Sequence, residues 1–318
     1  MDKILVTGGA GFIGSHLIER LIKEGYEVKV LDNCFRGTRE YLDEITENIV
    51  FIEGSVLDPK IIEESLRGVD TVFHLAAING TRYFYEIPHK VLEVNVKGTL
   101  NILEALLNSD VQRIIYASSS EVYGYPKYFP TDESHELVIQ DPKNPRFSYA
   151  GSKLIGEILS LNYAHAYGFE AVILRPHNIY GQRMGYEHVI PEFIKRLVLD
   201  EEFTIQGKGE TARSFCFISD CVEGFFLAAV TKNAVNQCFN IGNDEETRIL
   251  DLAYMIASIA GKTIKPVSVP LPEGGTTRRQ PDISKAKKVL GYEPEVSLKE
   301  GLEITYRWYE KQLKPKKR

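Results

Sequence analysis

Short apolar runs recur along the first half of the chain, and stretches with helical spacing separate them. The apolar runs cover residues 4–6, 28–31, 50–52, 71–75, 114–117 and 171–174, and the helical patterns include 12–24, 91–107 and 149–167. A strand buried on both faces gives a continuous apolar run, whereas a strand with one solvated face alternates. Buried strands that alternate with helices predict an α/β fold of the Rossmann type, built on a parallel, doubly wound sheet.

The pattern changes after residue 175. Beyond it proline and glycine are frequent, and the strand-like runs are shorter and mixed in character. We expect a dinucleotide-binding Rossmann domain over residues 1–175 and a smaller α+β substrate domain over residues 176–318, with a segment of about 213–245 packing back onto the first. Open α/β sheets bind ligands at the carboxyl ends of their strands, so the smaller domain should close over that edge.

Composition narrows the function classes. The chain has 318 residues and a formal net charge of -6, which argues against nucleic acid or an anionic membrane as a partner. No apolar run is long enough to span a bilayer. The cysteines lack the spacing of a metal or redox site; they are Cys34, Cys216, Cys221 and Cys238. We therefore expect a cytoplasmic protein with reduced thiols and no bound metal.

A glycine-rich turn lies between the first apolar run and the first helical stretch. Gly8, Gly11 and Gly14 stand there at three-residue intervals, with Phe12 and Ile13 between the last two. Without Cβ atoms the backbone can approach a pyrophosphate, and the helix N-terminus supplies amide donors. The strand before the turn, the helix after it and an acidic residue ending the second strand together indicate a dinucleotide-binding site.

That acidic residue, Asp32, should accept hydrogen bonds from the adenosine ribose hydroxyls. Its charge would repel a 2′-phosphate, so NAD is favoured over NADP as the cofactor. Arg36 is close enough to weaken this preference, although a solvated loop arginine is the simpler interpretation. Asp58 could equally be a helix N-cap, and Asn95 could equally be an ordinary polar residue on a helix. The remaining predicted cofactor contacts are Asn33, Asp58, Leu75, Ala76, Ala77 and Asn95.

Tyr149 and Lys153 lie four residues apart, on one face of a predicted helix. A free tyrosine has a pKa of about 10, and lowering it by about three units requires roughly 4 kcal/mol. A neighbouring ammonium and a positively charged nicotinamide both favour the phenolate. The phenolate would take a proton from a hydroxyl while hydride leaves the same carbon. The pair therefore predicts an oxidoreductive step, with Lys153 also contacting the cofactor.

The segment 118–124, with the sequence SSSEVYG, follows the fifth apolar run. Together with the glycine turn and the Tyr149/Lys153 pair, it resembles the extended short-chain dehydrogenase/reductase family, whose members are nucleotide-sugar epimerases, dehydratases and decarboxylases. The resemblance covers essentially the whole chain, and the segment 149–157 is most similar to that of UDP-glucose 4-epimerases. It implies NAD as cofactor, a nucleoside-diphosphate sugar as substrate, and a homodimer paired through helices 91–107 and 149–167.

The resemblance also implies roles for single residues. Ser119 would hydrogen-bond the reacting sugar oxygen, and Glu121 would do acid/base work as in dehydratases and decarboxylases. Arg213 and Arg279 would contact the diphosphate or the sugar, since guanidinium groups suit phosphate oxygens, with a surface ion pair as the alternative for each. The implied catalytic residues are Tyr149, Lys153, Ser119 and Glu121, and the implied substrate contacts are Ser119, Ser120, Tyr149, Asn178, Arg213 and Arg279.

Three net reactions share an oxidation at sugar C4. The resulting ketone can take hydride on its other face, lose water across C5 and C6, or lose a C6 carboxylate as carbon dioxide. We expect 4-epimerisation first, dehydration second and decarboxylation third. A dinucleotide sensor without turnover is the non-enzymatic alternative, but such proteins typically lack the tyrosine or the lysine.

Overall fold

The computed structural model describes residues 3–270 and 276–314. A seven-stranded parallel sheet forms its centre, in the order β11-β6-β5-β4-β1-β2-β3. The predicted Rossmann-type α/β fold is confirmed. The strands of this sheet are β1 (Lys3–Thr7), β2 (Glu27–Asp32), β3 (Ile49–Glu53), β4 (Thr71–His74), β5 (Arg113–Ala117), β6 (Glu170–Pro176) and β11 (Gln237–Ile241).

Helices cover both faces of the sheet because its strands are apolar on both sides. Within β1, Ile4 packs with one buried cluster and Leu5 with the opposite one. The first cluster includes α1 (Phe12–Lys23) and α8 (Ile218–Val230). The second includes α2 (Pro59–Leu66), α5 (Gly98–Leu106) and the end of α6 (Phe147–Tyr167).

One predicted helix is irregular in the structure. The stretch predicted as a helix over residues 91–107 consists of α4 (Pro88–Leu92), a π-helical turn over Glu93–Lys97, and α5. Such turns insert one residue into the helical ladder and change the direction in which side chains point. A shorter helix, α3 (Thr81–Glu86), precedes it.

The second half of the chain both extends the sheet and covers its carboxyl edge. Strand β11 pairs in parallel with β6, so the sheet continues beyond the sequence break at residue 175. The other strands are β7 (Ile179–Tyr180), β8 (Thr204–Gln206), β9 (Ala212–Ser214), β10 (Cys216–Phe217), β12 (Glu246–Arg248), β13 (Val267–Val269) and β14 (Arg278–Arg279). The other helices are α7 (Val189–Val198), α9 (Ile249–Ile259), α10 (Ser284–Leu290) and α11 (Leu298–Leu313). The division into domains at residue 175 stays a prediction.

Small sheets organise this second half. β9 lies between β12 and β14, β7 pairs with β10, and β8 pairs with β13. Helices α7, α9 and α11 pack against one another. Across the described ranges, no helix combines the length and the hydropathy that a bilayer crossing requires.

Candidate active site

A cavity of about 700 Å³ follows the carboxyl edge of the central sheet. Most of the residues predicted for cofactor and substrate lie on its walls. From the predicted cofactor contacts these are Gly8, Gly11, Phe12, Ile13, Gly14, Asp32, Asn33, Leu75, Ala76, Ala77 and Lys153. From the predicted catalytic and substrate residues these are Ser119, Ser120, Glu121, Tyr149, Asn178 and Arg279.

The glycine turn forms one end of the cavity. Gly8 has a φ of +74°, and a Cβ atom there would lie 2.7 Å from the backbone nitrogen of Ala76. At Gly14 a Cβ atom would lie 2.3 Å from the carbonyl oxygen of Gly8. The N-terminus of α1 has no side-chain cap, so its first amides remain available to an anion. The turn therefore has the close approach and the free donors that a pyrophosphate needs.

Asp32 lies at the end of β2 beside this turn. Its carboxylate accepts hydrogen bonds from the backbone of Ala10 at 2.9 Å and of Cys34 at 2.7 Å. Burial raises the pKa of Asp32, and these amide hydrogen bonds act in the opposite direction. Both oxygens retain lone pairs, so the carboxylate can still accept from ribose hydroxyls.

Asp58 does not line the cavity. It caps helix α2, and its side chain accepts from the backbone of Lys60 at 3.0 Å and of Ile61 at 3.4 Å. The wall at this point consists instead of Ser55, Val56 and Leu57. The structure thus gives Asp58 the N-cap geometry that was its alternative interpretation.

Asn95 lies behind the cavity wall, in the π-helical turn. Its amide accepts from the Ile78 nitrogen at 2.8 Å and donates to the Ile78 oxygen at 3.3 Å and the Ser152 hydroxyl at 3.0 Å. The Ser152 hydroxyl donates in turn to the backbone oxygen of Tyr149 at 2.7 Å. Asn95 therefore connects the loop after β4 to the helix that carries Tyr149, without reaching the cavity itself.

Tyr149 stands in the first turn of α6 and faces the cavity. Its ring stacks on Phe84 of α3, with ring centroids 5.0 Å apart and planes 16° from parallel. Burial raises the pKa of Tyr149, a hydrogen bond with Ser119 lowers it, and the charge of Glu121 raises it. The protein alone therefore favours the protonated form of Tyr149, and the positive charge of a bound nicotinamide would favour the phenolate.

Lys153 lies one turn along α6 and is buried. Its ammonium donates to the Ala117 carbonyl oxygen at 2.6 Å and lies 5.9 Å from the centroid of the Tyr149 ring. Burial lowers the pKa of Lys153 to about 7, while the charge of Glu157 acts in the opposite direction. An ammonium whose proton is this labile at neutral pH suits a site that exchanges protons.

A charged cluster forms the wall beyond Tyr149. Glu121 Oε1 accepts from Nη1 of Arg279 at 2.6 Å and lies 3.9 Å from Nη2 of Arg146. Desolvation of the Glu121 carboxylate would raise its pKa, but the charge and hydrogen bond of Arg279 outweigh this and lower the pKa to about 2. Glu121 is therefore ionised at neutral pH in the substrate-free protein.

Two nitrogen donors of the Arg279 guanidinium are unpaired. Its Nε and Nη2 atoms are buried and have no hydrogen-bond partner among residues 3–270 and 276–314. One edge of the guanidinium thus binds Glu121, and the other edge is unpaired. Buried donors of this kind are normally satisfied, but these two atoms have almost no accessible surface and therefore do not face the open cavity.

The other predicted substrate residues lie nearby. Asn178 lies in the short connection between β6 and β7. It lines the cavity and donates to the Ser214 carbonyl oxygen at 3.0 Å. Arg213 does not line it; its guanidinium donates to the backbone oxygens of Ala212 and Thr276. Burial and the charge of Arg279 lower the pKa of Arg213 to about 10. A substrate contact from Arg213 stays a prediction.

Two residues that face the site were missed in the sequence. Arg146 stands three positions before Tyr149, a spacing that places both on one side of a helix, and this could have drawn attention to it. Phe84, by contrast, lies 65 positions before Tyr149, with which it stacks. No local pattern links these two residues.

Comparison with known proteins shows the family of the chain. A model of the NAD dependent epimerase/dehydratase family matches residues 4–242. The chain belongs to this family. It is therefore an NAD-dependent enzyme, and the glycine turn, the uncapped α1 and Asp32 are groups that would hold NAD.

Relatives of this family member carry out different net reactions. A UDP-N-acetyl-alpha-D-glucosaminuronate decarboxylase of Bacillus cytotoxicus is 37% identical over 96% of this chain and 97% of that protein. The UDP-glucose 4-epimerase structure from Thermotoga maritima has a TM-score of 0.90 at 35% identity, covering 98% of this chain and 100% of that one. The structure of a UDP-glucuronic acid 4-epimerase from Bacillus cereus has a TM-score of 0.90 at 33% identity, covering 98% of this chain and 99% of that one.

Proposed function

We propose that this enzyme oxidises a nucleotide-linked hexuronic acid at C4 and then releases the C6 carboxylate as carbon dioxide. The observation that carries this proposal is the excess positive charge on the cavity wall, where Arg279 and Arg146 share the single carboxylate of Glu121. A guanidinium edge matches a carboxylate, whereas a neutral hexose offers it no charge to pair with. The sequence alone favours 4-epimerisation, and the charged cluster around Glu121 is what changes the order.

The same cluster argues against dehydration. A dehydratase must protonate the oxygen that leaves C6, so it needs a carboxyl group that carries a proton. Arg279 and Arg146 keep Glu121 ionised by lowering its pKa to about 2. Glu121 is thus a poor acid for a departing hydroxyl and a good anchor for two arginines.

Each residue has a defined role in the proposed reaction. Bound NAD would supply the oxidant for sugar C4 and, as NADH, the hydride for its later reduction. Tyr149 takes the proton of the C4 hydroxyl, and Ser119 hydrogen-bonds the same oxygen. Arg279 holds the C6 carboxylate until the C5–C6 bond breaks, and the electron pair passes into an enolate on O4. The Tyr149 hydroxyl stabilises that oxyanion by donating a hydrogen bond to it, and C5 then takes up one proton from water. When C4 is reduced again, Tyr149 returns its proton to O4.

The test is to incubate the enzyme with UDP-glucuronate and, separately, with UDP-glucose, and to identify products by NMR together with released carbon dioxide. We expect a UDP-pentose and carbon dioxide from the uronate and no change in UDP-glucose. Arg279→Gln should raise the KM for the uronate by about tenfold or more, because a charged hydrogen bond is lost. Its exposed neighbour Arg278, which pairs with Glu246, provides the control Arg278→Gln. Tyr149→Phe should be inactive.

A 4-epimerase is the second candidate. The support is that the Glu121 carboxylate is already paired within the protein, since it accepts a hydrogen bond from Arg279 and lies near the charge of Arg146. A structural residue would be paired in this way. Formation of UDP-galactose from UDP-glucose, or of UDP-galacturonate without carbon dioxide, would replace the first proposal with this one.

A further inference from the structure

Three segments from distant parts of the chain meet at the edge of the cavity, close to the glycine turn. They are residues 33–37 after β2, 79–83 after β4, and 185–188 before α7. The first segment lies directly on the turn. The backbone of Thr38 donates to the Ala10 oxygen at 3.1 Å, and a Cβ atom on Gly37 would lie 2.0 Å from that same oxygen. Arg36 therefore stands one residue from direct contact with the glycine turn.

The Arg36 side chain reaches from the first segment to the other two. Its Nη1 lies 3.5 Å from Oε2 of Glu187, and its guanidinium carbon lies 4.7 Å from the centroid of the Tyr83 ring. Its Nη2 lies 3.2 Å from where a Cβ on Gly80 would be. The side chain lines the cavity at the same time. An ion pair and an aromatic face thus hold the guanidinium in a fixed place.

The hydrogen-bonding capacity of this guanidinium is unused. Within the described ranges the guanidinium of Arg36, which carries five donors, makes no hydrogen bond, and its ion-pair partner Glu187 lies 3.5 Å away. Arg183, which also lines this cavity, is different, since its Nη2 lies only 2.6 Å from Oε1 of Glu19. Arg36 is the more available of the two cations.

We propose that Arg36 binds the NAD pyrophosphate from the side opposite the glycine turn, and that Glu187 and Tyr83 hold its guanidinium there. The turn supplies backbone amides but no charged side chain, whereas a pyrophosphate carries two negative charges. A guanidinium fork supplies the missing cation. Arg36 then contacts the phosphates rather than the adenosine ribose, so it leaves the preference for NAD to Asp32. This role does not depend on which sugar the enzyme converts.

The experiment measures displacement of labelled NAD from the holoenzyme by ADP-ribose, which contains the pyrophosphate, and by adenosine, which does not. In Arg36→Gln, the affinity for ADP-ribose should fall by about tenfold or more, since hydrogen bonds to charged groups are lost, while the affinity for adenosine stays unchanged. Labelled NAD should also leave the variant faster. Glu187→Gln should show a smaller loss for ADP-ribose, because the arginine remains but is less firmly held.

Arg39→Gln is the matched control, because Arg39 lies three residues further along and packs over the Phe51 ring, 5.0 Å away. Its affinities should equal those of the unmodified enzyme. Equal affinities in Arg36→Gln would overturn the proposal, and so would a loss for adenosine as large as that for ADP-ribose. Thermal unfolding of each variant shows that the fold is retained.

Discussion

Lys153 shows at the scale of one residue how catalysis opposes stability. It is buried with one hydrogen bond, to the Ala117 carbonyl oxygen, and burial lowers its pKa to about 7. The folded chain thus pays to keep an ammonium in a dry site beside Tyr149. The same burial keeps Tyr149 protonated until the charge of bound NAD shifts the balance. The pKa values of Tyr149 and Lys153 are therefore set more by burial than by the four-residue spacing of the pair.

A pH-dependent stability follows from the lowered pKa of Lys153. Between pH 7 and the unfolded pKa of about 10.4, the unfolded chain binds a proton that the folded chain lacks, so stability rises with pH. Relative to Lys153→Met, the NAD-free enzyme should gain about 1.4 kcal/mol per pH unit between pH 7 and pH 9. Urea unfolding of both proteins at each pH measures this. A constant difference between them would show that Lys153 titrates normally.

At the scale of secondary-structure elements, the π-helical turn over Glu93–Lys97 joins two parts of the site. It places Asn95 where one amide satisfies both backbone groups of Ile78 and the hydroxyl of Ser152. Ser152 belongs to α6, and its hydroxyl bonds the backbone of Tyr149. Helix α3 contributes from the same side, because Phe84 stacks on the Tyr149 ring. The position of Tyr149 thus depends on two elements besides α6, which are the π-helical turn and α3.

Asn95→Ala should destabilise the enzyme by about 2–4 kcal/mol, since it leaves buried donors and acceptors without partners. Asn101 offers a matched control on the neighbouring helix α5, where its amide makes one hydrogen bond, to the Val56 oxygen at 3.0 Å. Asn101→Ala should cost clearly less. Free energies of unfolding in urea give both values, and similar losses for the two variants would contradict a special role for the π-helical turn.

At the scale of the whole molecule, exposed apolar side chains on α4 and α6 form a surface that suits the predicted homodimer. Ile155 and Ile158 lie one turn apart on α6, with 40% and 54% of their surface exposed, and Leu92 at the end of neighbouring α4 is 40% exposed. Large apolar side chains grouped on adjacent helices are typical of subunit contacts. A two-fold axis through this surface would pair each helix with its copy.

Ile158→Arg should convert a dimer into a monomer, because each copy would bury an unpaired charge at the contact. Light scattering coupled to gel filtration measures the molar mass. The control is Tyr254→Arg, which replaces a residue of α9 that is equally exposed, at 50%, but lies on another helix. A dimer that survives Ile158→Arg would place the contact elsewhere.

Local sequence determined the cofactor half of this protein. Each cofactor signal is a short-range pattern. The glycines stand at three-residue intervals, an acidic residue ends the next strand, and a tyrosine precedes a lysine by four residues on one helix. Strand and helix periodicity carry such information directly, so the fold class and the NAD cofactor were predictable. Asp58 was ambiguous because an aspartate suits both a helix N-cap and a contact near the adenine, and the hydrogen bonds to Lys60 and Ile61 show the N-cap.

Tertiary structure decided the substrate half. Glu121 and Arg279 are 158 positions apart, yet their side chains meet at 2.6 Å because β14 pairs with β9 over the end of the central sheet. β11 lies in the segment 213–245 that was expected to pack back onto the first domain, but periodicity does not show that it joins the sheet beside β6. Contacts of this length depend on how layers pack and not on local propensity. The sequence therefore identifies the cofactor chemistry, and only the tertiary structure brings together Glu121, Arg146 and Arg279, on which the proposed acidic substrate rests.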